Sequence, residues 1–100
     1  IAFNEKGLVP CIVQSSGNND VLMLAWMSKE TLIMTVDSGY ATYWSRSRGE
    51  IWIKGQSSGN KQKVNEIMID CDKDCVLLKV DQKGVACHTG EWSCFFNQLL

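Results

Sequence analysis

The sequence has a single proline and a single histidine, no C-x-x-C pair, no GxxxxGK[ST] loop, and no apolar run approaching the roughly 20 residues of a spanning helix. Each absence excludes something. With one proline, no low-complexity tract and no internal repeat, nothing divides the chain, and residues 1–100 read as one domain, either a small complete fold or one module of a longer protein. Without a C-x-x-C pair the thiol-redox reading fails, and so does a closed structural zinc site of the usual paired spacing. Without the phosphate loop, nucleoside triphosphate hydrolysis is not indicated. A formal net charge of −1 offers no overall attraction to nucleic acid or to a membrane surface, and the opening IAFNEKG has neither a basic nor an apolar leader region.

What is present is ordinary globular material, 45% hydrophobic and 21% charged, arranged in short apolar runs bounded by turn residues. The runs at 8–13 (LVPCIV), 21–26 (VLMLAW), 40–44 (YATYW), 51–53 (IWI), 64–69 (VNEIMI) and 76–80 (VLLKV) predict strands, with GNND, RGE and QKG supplying turn chemistry between them. One segment predicts a helix. Ser28 is placed to cap KETLIMTVDS, Leu32, Ile33 and Val36 share a face, and Gly39 supplies the terminating residue. The expected fold is α+β and mostly β: a small, barrel-like antiparallel sheet with one helix covering an end. The four tryptophans read as core or rim packing.

Chemistry concentrates in the second half. Five cysteines are an odd number, and with no leader in view they favour a reducing, cytoplasmic setting and a metal or catalytic use over a disulfide framework. Cys71, Cys87 and Cys94 follow the spacing C-x15-C-x6-C. Three thiolates can hold Zn²⁺ and leave a fourth position for water. Asp70, Asp72 and Asp74 alternate within DCDKD, and if that stretch is an extended strand the three carboxylates share one face, suited to Mg²⁺, while Cys71 points to the other. The bland alternative for the aspartates is a solvated strand end.

The span from Ser45 to Lys63, SRSRGEIWIKGQSSGNKQK, holds five of the ten cationic residues against one acid, Glu50. Arginine forks, serine hydroxyls and the backbone N–H groups of Ser57, Ser58, Gly59 and Asn60 suit phosphate. An exposed hairpin with solvated charges would look the same. His88 adjoins Cys87, and an imidazole there is positioned to move a proton.

Taken together, GLVPCIVQ, VLMLAWM, YWSRSR, IWIKGQSSGN, DCDKD, ACHTG and WSCF closely resemble the phosphoribosyl-AMP cyclohydrolases of histidine biosynthesis, in order and spacing and over nearly the whole chain. The resemblance implies zinc on Cys71, Cys87 and Cys94, and magnesium on Asp70, Asp72 and Asp74. It implies an intertwined homodimer whose zinc ligands are shared, Cys71 from one subunit and the other two from its partner. It implies a small-molecule substrate, phosphoribosyl-AMP, whose adenine ring is opened hydrolytically between N1 and C6, and neither nucleic acid nor membrane as a partner. On that reading His88 transfers the proton, and Ser45, Arg46, Ser47, Arg48, Trp52, Lys54 and the Ser57–Asn60 turn hold the substrate. Cys11 and Cys75 depart from the family pattern and are expected not to be ligands. The rival reading is a non-enzymatic zinc module whose basic hairpin meets phosphate or nucleic acid; it would want a fourth ligand and a broadly basic surface, and the acidic DCDKD stretch counts against it.

Overall fold

A computed structural model describes residues 1–100, in the order β1 (Leu8–Ser15), β2 (Val21–Ser28), α1 (Lys29–Ser38), β3 (Thr42–Ser45), β4 (Glu50–Ile53), β5 (Gln62–Ile69) and β6 (Val76–Gln82). Every predicted strand run falls on an observed strand, and the helix has the predicted cap and terminator. The Ser28 hydroxyl accepts from the Thr31 N–H at 3.2 Å, and the Thr31 hydroxyl accepts in turn from the Ser28 N–H at 2.9 Å. Gly39, at φ +78°, closes the helix by donating its N–H to the Thr35 carbonyl.

Two sheets form, a four-stranded one ordered β2-β1-β6-β5 and the β3-β4 hairpin. The expectation of a purely antiparallel sheet needs correction, because β1 and β6 pair in parallel, with Cys11 opposite Val76 and Ser15 opposite Val80. Neighbouring runs in sequence can join through tight turns as antiparallel hairpins, whereas β1 and β6 are brought side by side only after the chain has crossed over through the intervening elements. Pro10 sits where this is tolerated. It faces Trp26 of β2, and the ladder to β6 starts one residue later, so its missing N–H breaks no bond there. The sheet curls without closing: β2 packs near β3 but forms no ladder with it, while Tyr40 bridges Lys63 and the Ala41 N–H donates to the Gln62 carbonyl.

The core lies inside this curl, built on Val9, Cys11, Val13, Leu22, Met27, Tyr43, Val76, Leu78 and Val80. The helix docks on it differently from the apolar-face expectation. Thr31 and Thr35 are its buried residues; Leu32 is partly buried, and Ile33 and Val36 are half exposed or more. The Thr35 hydroxyl accepts from the Thr42 N–H at 3.0 Å, so a side-chain hydrogen bond to the start of β3, and not an aliphatic stripe, fixes the helix. No helix is long and apolar enough to cross a membrane.

The second correction concerns DCDKD. Residues 70–75 are not a strand but the turn between β5 and β6. The Asp70 N–H donates to the Cys75 carbonyl and the Lys73 N–H to the Asp70 carbonyl, and Lys73 adopts φ +65°. One Asp70 carboxylate oxygen accepts from both the Asp74 and the Cys75 N–H, at 3.0 and 3.1 Å. A short aspartate side chain that satisfies its own loop stabilises a turn against continuation of the ladder.

Candidate active site

Two structures at the end of the chain bring chemistry together. The first is a small hairpin from Ala86 to Trp92, closed by Ala86 N–H to Trp92 carbonyl (3.0 Å), Cys87 N–H to Glu91 carbonyl (3.1 Å) and Gly90 N–H to Cys87 carbonyl (3.1 Å). The segment after it is fastened to the open edge of β2. The Cys94 N–H donates to the Leu22 carbonyl at 2.7 Å, the Ser93 hydroxyl to the Val21 carbonyl at 2.8 Å, and the Trp92 indole N–H to an Asp20 carboxylate oxygen at 3.0 Å. These bonds bring Cys94 back beside Cys87.

The pair is electrostatically uneven. The Thr89 hydroxyl lies 3.0 Å from the Cys87 sulfur, and that hydroxyl together with the Thr89 backbone N–H holds the Cys87 thiol below its ordinary value. Partial desolvation pushes the Cys94 thiol up, and the neighbouring Cys87 sulfur pushes it further. Lys54 reaches the same place from the end of β4. It is 8% exposed, its ammonium donates to the Ala86 carbonyl at 2.6 Å, and it lies over the Trp52 ring at 5.4 Å. Burial lowers its pKa, opposed by the charges of Cys94 and Cys87.

The second structure is a cleft of about 490 Å³ between this hairpin and the β4 turn. Its walls include Cys87 and His88 on one side and Arg48, Trp52, Lys54, Ser57, Ser58 and Asn60 on the other. The turn is tight. A Cβ on Gly55, which has φ +79°, would meet the Asn60 carbonyl carbon and the Lys61 nitrogen at 2.5 Å, so only glycine lets the chain fold back here. The N–H groups of Gly59, Asn60 and Lys61 are spent inside the turn, while those of Ser57 and Ser58 are bonded to nothing within the chain. An anion approaching from the cleft would find those two.

The predicted substrate residues therefore divide. Ser45 and Ser47 hydroxyls lie 3.5 Å apart, outside the cleft. Arg46 stacks 4.4 Å over the Trp26 ring and lines a different hollow beside the start of α1. Gly59 lines a third, with Lys61, Lys63 and Lys83. Arg48 reaches the cleft but carries a mostly solvated ion pair to Glu50 at 3.5 Å.

The predicted metal ligands divide as well. The oxygens of Asp70, Asp72 and Asp74 lie within 4.8 Å of one another on the exposed β5–β6 turn. A hydrogen bond shared with Asp72, partial desolvation and the two neighbouring charges push the Asp74 carboxyl up to about 6. Asp70 is lowered: desolvation works against it, but the Cys75 N–H, Asp72 and the Asp74 N–H outweigh that. Cys71 sits exposed on the same turn and does not join Cys87 and Cys94, for those aspartates are the only cluster of three potential ligands within one chain. Burial raises the Cys11 thiol to about 12, and burial and then the charges of Asp70 and Asp74 raise Cys75, so neither is prepared to be a thiolate.

Several supporting residues carry little or no signal in the sequence. Thr89 was visible in CHTG, as a hydroxyl two residues from a candidate thiolate. Gln62 and Gln82 gave no sequence signal. The fully buried Gln62 accepts from the Tyr43 hydroxyl and donates to the Gln82 side chain, whose amide reaches the Asn60 and Val85 carbonyls at 3.2 and 3.4 Å, tying both walls of the cleft to the core.

The phosphoribosyl-AMP cyclohydrolase family model matches residues 23–96. Curated proteins called phosphoribosyl-AMP cyclohydrolase are similar over almost the whole chain: 57% identical in Marinobacter nauticus, covering 99% of this chain and 72% of that protein, and 57% identical in Herminiimonas arsenicoxydans, covering 99% and 75%. One from Chlorobium limicola is 57% identical over 98 residues, 98% of this chain and 72% of its own. The chain belongs to the phosphoribosyl-AMP cyclohydrolase family.

Proposed function

We propose that this member of the family catalyses the hydrolytic opening of the adenine ring of phosphoribosyl-AMP between N1 and C6, in histidine biosynthesis, with zinc on cysteine ligands. The observation that carries the reading is the single cleft in which Cys87, His88, Trp52, Arg48 and the free N–H groups of Ser57 and Ser58 meet. A second ribosyl group on N1 leaves the ring electron-poor, so C6 accepts the oxygen of water. The N1–C6 bond then breaks, C6 becomes a carboxamide carbon, and N1 gains a proton from the water and stays within a formimino link. Nothing is lost but the ring.

The donor set fits zinc. Two sulfurs are already adjacent, one is held below the usual thiol range, and a lysine ammonium stands beside them. Bound to these thiolates, zinc would supply the Lewis acidity that makes water a nucleophile near neutral pH. The chain's own residues do the rest. His88 takes a proton from the attacking water and delivers it to N1. Trp52 offers its ring to the purine, while Arg48 and the Ser57–Ser58 backbone hold phosphate.

The third sulfur is Cys71 of a second copy, which makes the functional unit a homodimer with zinc ligands shared between subunits. Both halves of that site carry exposed apolar neighbours: Met68 and Ile69, each 47% exposed, lie just before the acidic turn, and Phe95 and Phe96, 65% and 47% exposed, directly follow Cys94. Such side chains invite burial against another chain. The aspartate turn, with its oxygens already gathered, suits Mg²⁺, which would lie close to Cys71 and so at the rim of the same shared site. The reducing interior that free thiolates need makes the cytoplasm the expected location.

The direct test is an ultraviolet assay of phosphoribosyl-AMP turnover, with and without a zinc chelator. Ring opening that is lost on chelation and regained with zinc is the expected result; no ring opening by folded, zinc-loaded protein overturns the reading.

A further inference from the structure

We propose that Lys54 is a positioning residue for the cysteine hairpin and does not serve as a phosphate ligand. Its ammonium fixes the peptide that carries Cys87 and sets a positive charge beside the two sulfurs. The inference rests, for its catalytic consequence, on the metal reading above.

The peptide between Ala86 and Cys87 is held at both polar ends. Its N–H donates to the Glu91 carbonyl within the hairpin, and its carbonyl accepts from the Lys54 ammonium at 2.6 Å. The second bond is the only hydrogen bond between the β3–β4 hairpin and the cysteine hairpin. Lys54 is well prepared for this task. Its backbone N–H donates to the Ala41 carbonyl at 3.2 Å, which fixes where the side chain starts, and its ammonium lies over the Trp52 ring. Lysine rarely surrenders solvent to this degree, since burial desolvates the charge and freezes a long flexible stem. A charge-assisted bond to a buried carbonyl and the neighbouring sulfurs offset that cost.

Lys54 lines the cleft, so a role toward substrate phosphate would fall to the ammonium N–H groups that the Ala86 carbonyl leaves over. The bond toward the hairpin is already made. Three thiolates around a divalent ion also carry a net charge of −1, which a fixed ammonium nearby opposes.

The full-length protein as a dimer, with Lys54→Met and Lys54→Arg beside wild type, separates the two roles. Methionine keeps the stem and removes the donor and the charge. Amide exchange across residues 86–94 in metal-free protein should quicken about tenfold in Lys54→Met while β1 and β6 keep their protection, the scale of one charged hydrogen bond lost. Zinc affinity, read by competition with a chromophoric chelator, should fall about tenfold, and kcat with it, with KM within about twofold of wild type. Lys54→Arg should recover part of both the protection and the affinity. Unchanged exchange and zinc affinity with a KM raised about tenfold would overturn the proposal and return Lys54 to phosphate binding. If Lys54→Met fails to fold, Lys54→Arg decides: a raised KM with intact exchange and affinity overturns the proposal, and a raised exchange rate with lowered zinc affinity and unchanged KM supports it. Wild-type protein that binds no zinc would remove the metal reading and leave the exchange result to stand for the hairpin alone.

Discussion

The turn at 70–75 and the hairpin at 86–94 both carry side chains of the kinds that can hold metals, yet they are built in opposite ways. The acidic turn is exposed and satisfies itself: Asp70 accepts from its own loop, and three carboxylates converge from within five residues. The cysteine hairpin depends on the rest of the molecule, on β2 through Leu22, on Lys54 from β4, and on Gln82 under Val85. A hard-ion site can be local because Mg²⁺ keeps several of its own waters and takes few carboxylates from the protein. A soft-ion site needs sulfurs kept in place and partly shielded, which takes tertiary support. On the proposed reading the two are halves of one centre, joined when the Cys71 of one copy meets the hairpin of another.

The largest expected effect tests that joining. Cys71→Ala and Cys87→Ala should each lower kcat about a thousandfold or more, the scale of removing a preorganised electrostatic group. Refolded as an equal mixture, they should recover about a quarter of wild-type activity, since half the dimers are mixed and each carries one intact site of two. No recovery in verified heterodimers would break the link between turn and hairpin.

Next is the support beneath the hairpin. Gln62→Leu leaves the fully buried Tyr43 hydroxyl and the Gln82 side-chain oxygen without their partner, and should cost about 1–3 kcal/mol of stability in urea titration. A comparable loss from Asp72→Asn would contradict the contrast, for the exposed turn has no buried partner to strand.

A smaller effect separates the turn by pH. Asp74 is raised to about 6, so the folded chain holds that proton more tightly than the unfolded one; the stability it contributes is present below the ordinary carboxylate range and lost as pH rises through about 6. The proton also competes with a cation. At about pH 8 and a tenfold excess over its Kd, Mg²⁺ should raise Tm by about 5 °C, and at about pH 5 far less. Equal shifts at both pH values would show that the ion binds elsewhere. The smallest effect is Cys75→Ser, which should leave zinc content unchanged and stability within about 1 kcal/mol, in keeping with a thiol pushed up by burial and by the carboxylates of its own turn.

The strands, the helix and its caps were legible because they are local. A run of alternating or continuous apolar residues ended by Gly, Asn or Asp determines an element within a few residues. DCDKD shows where this stops: three alternating aspartates look like a strand face, but carboxylates that can bond their own backbone prefer a turn, and convergence came from the loop. The helix shows it again, since hydroxyls of Thr31 and Thr35, not Ile33 or Val36, are what the fold buries.

The family, too, was legible from motifs alone, because residue types and their order survive in a linear string. What each basic residue does was not. Five cations in one segment looked like a single phosphate site, yet the fold sends Arg46 onto Trp26, Arg48 to Glu50 at the cleft, Lys54 inward to Ala86, and Lys61 and Lys63 to another hollow. Sequence determines which groups exist and which turns they sit on. Only the tertiary structure decides which of them remain free, because a charge has the same chemistry everywhere and acquires its role from the partner that the long-range packing brings within hydrogen-bond distance.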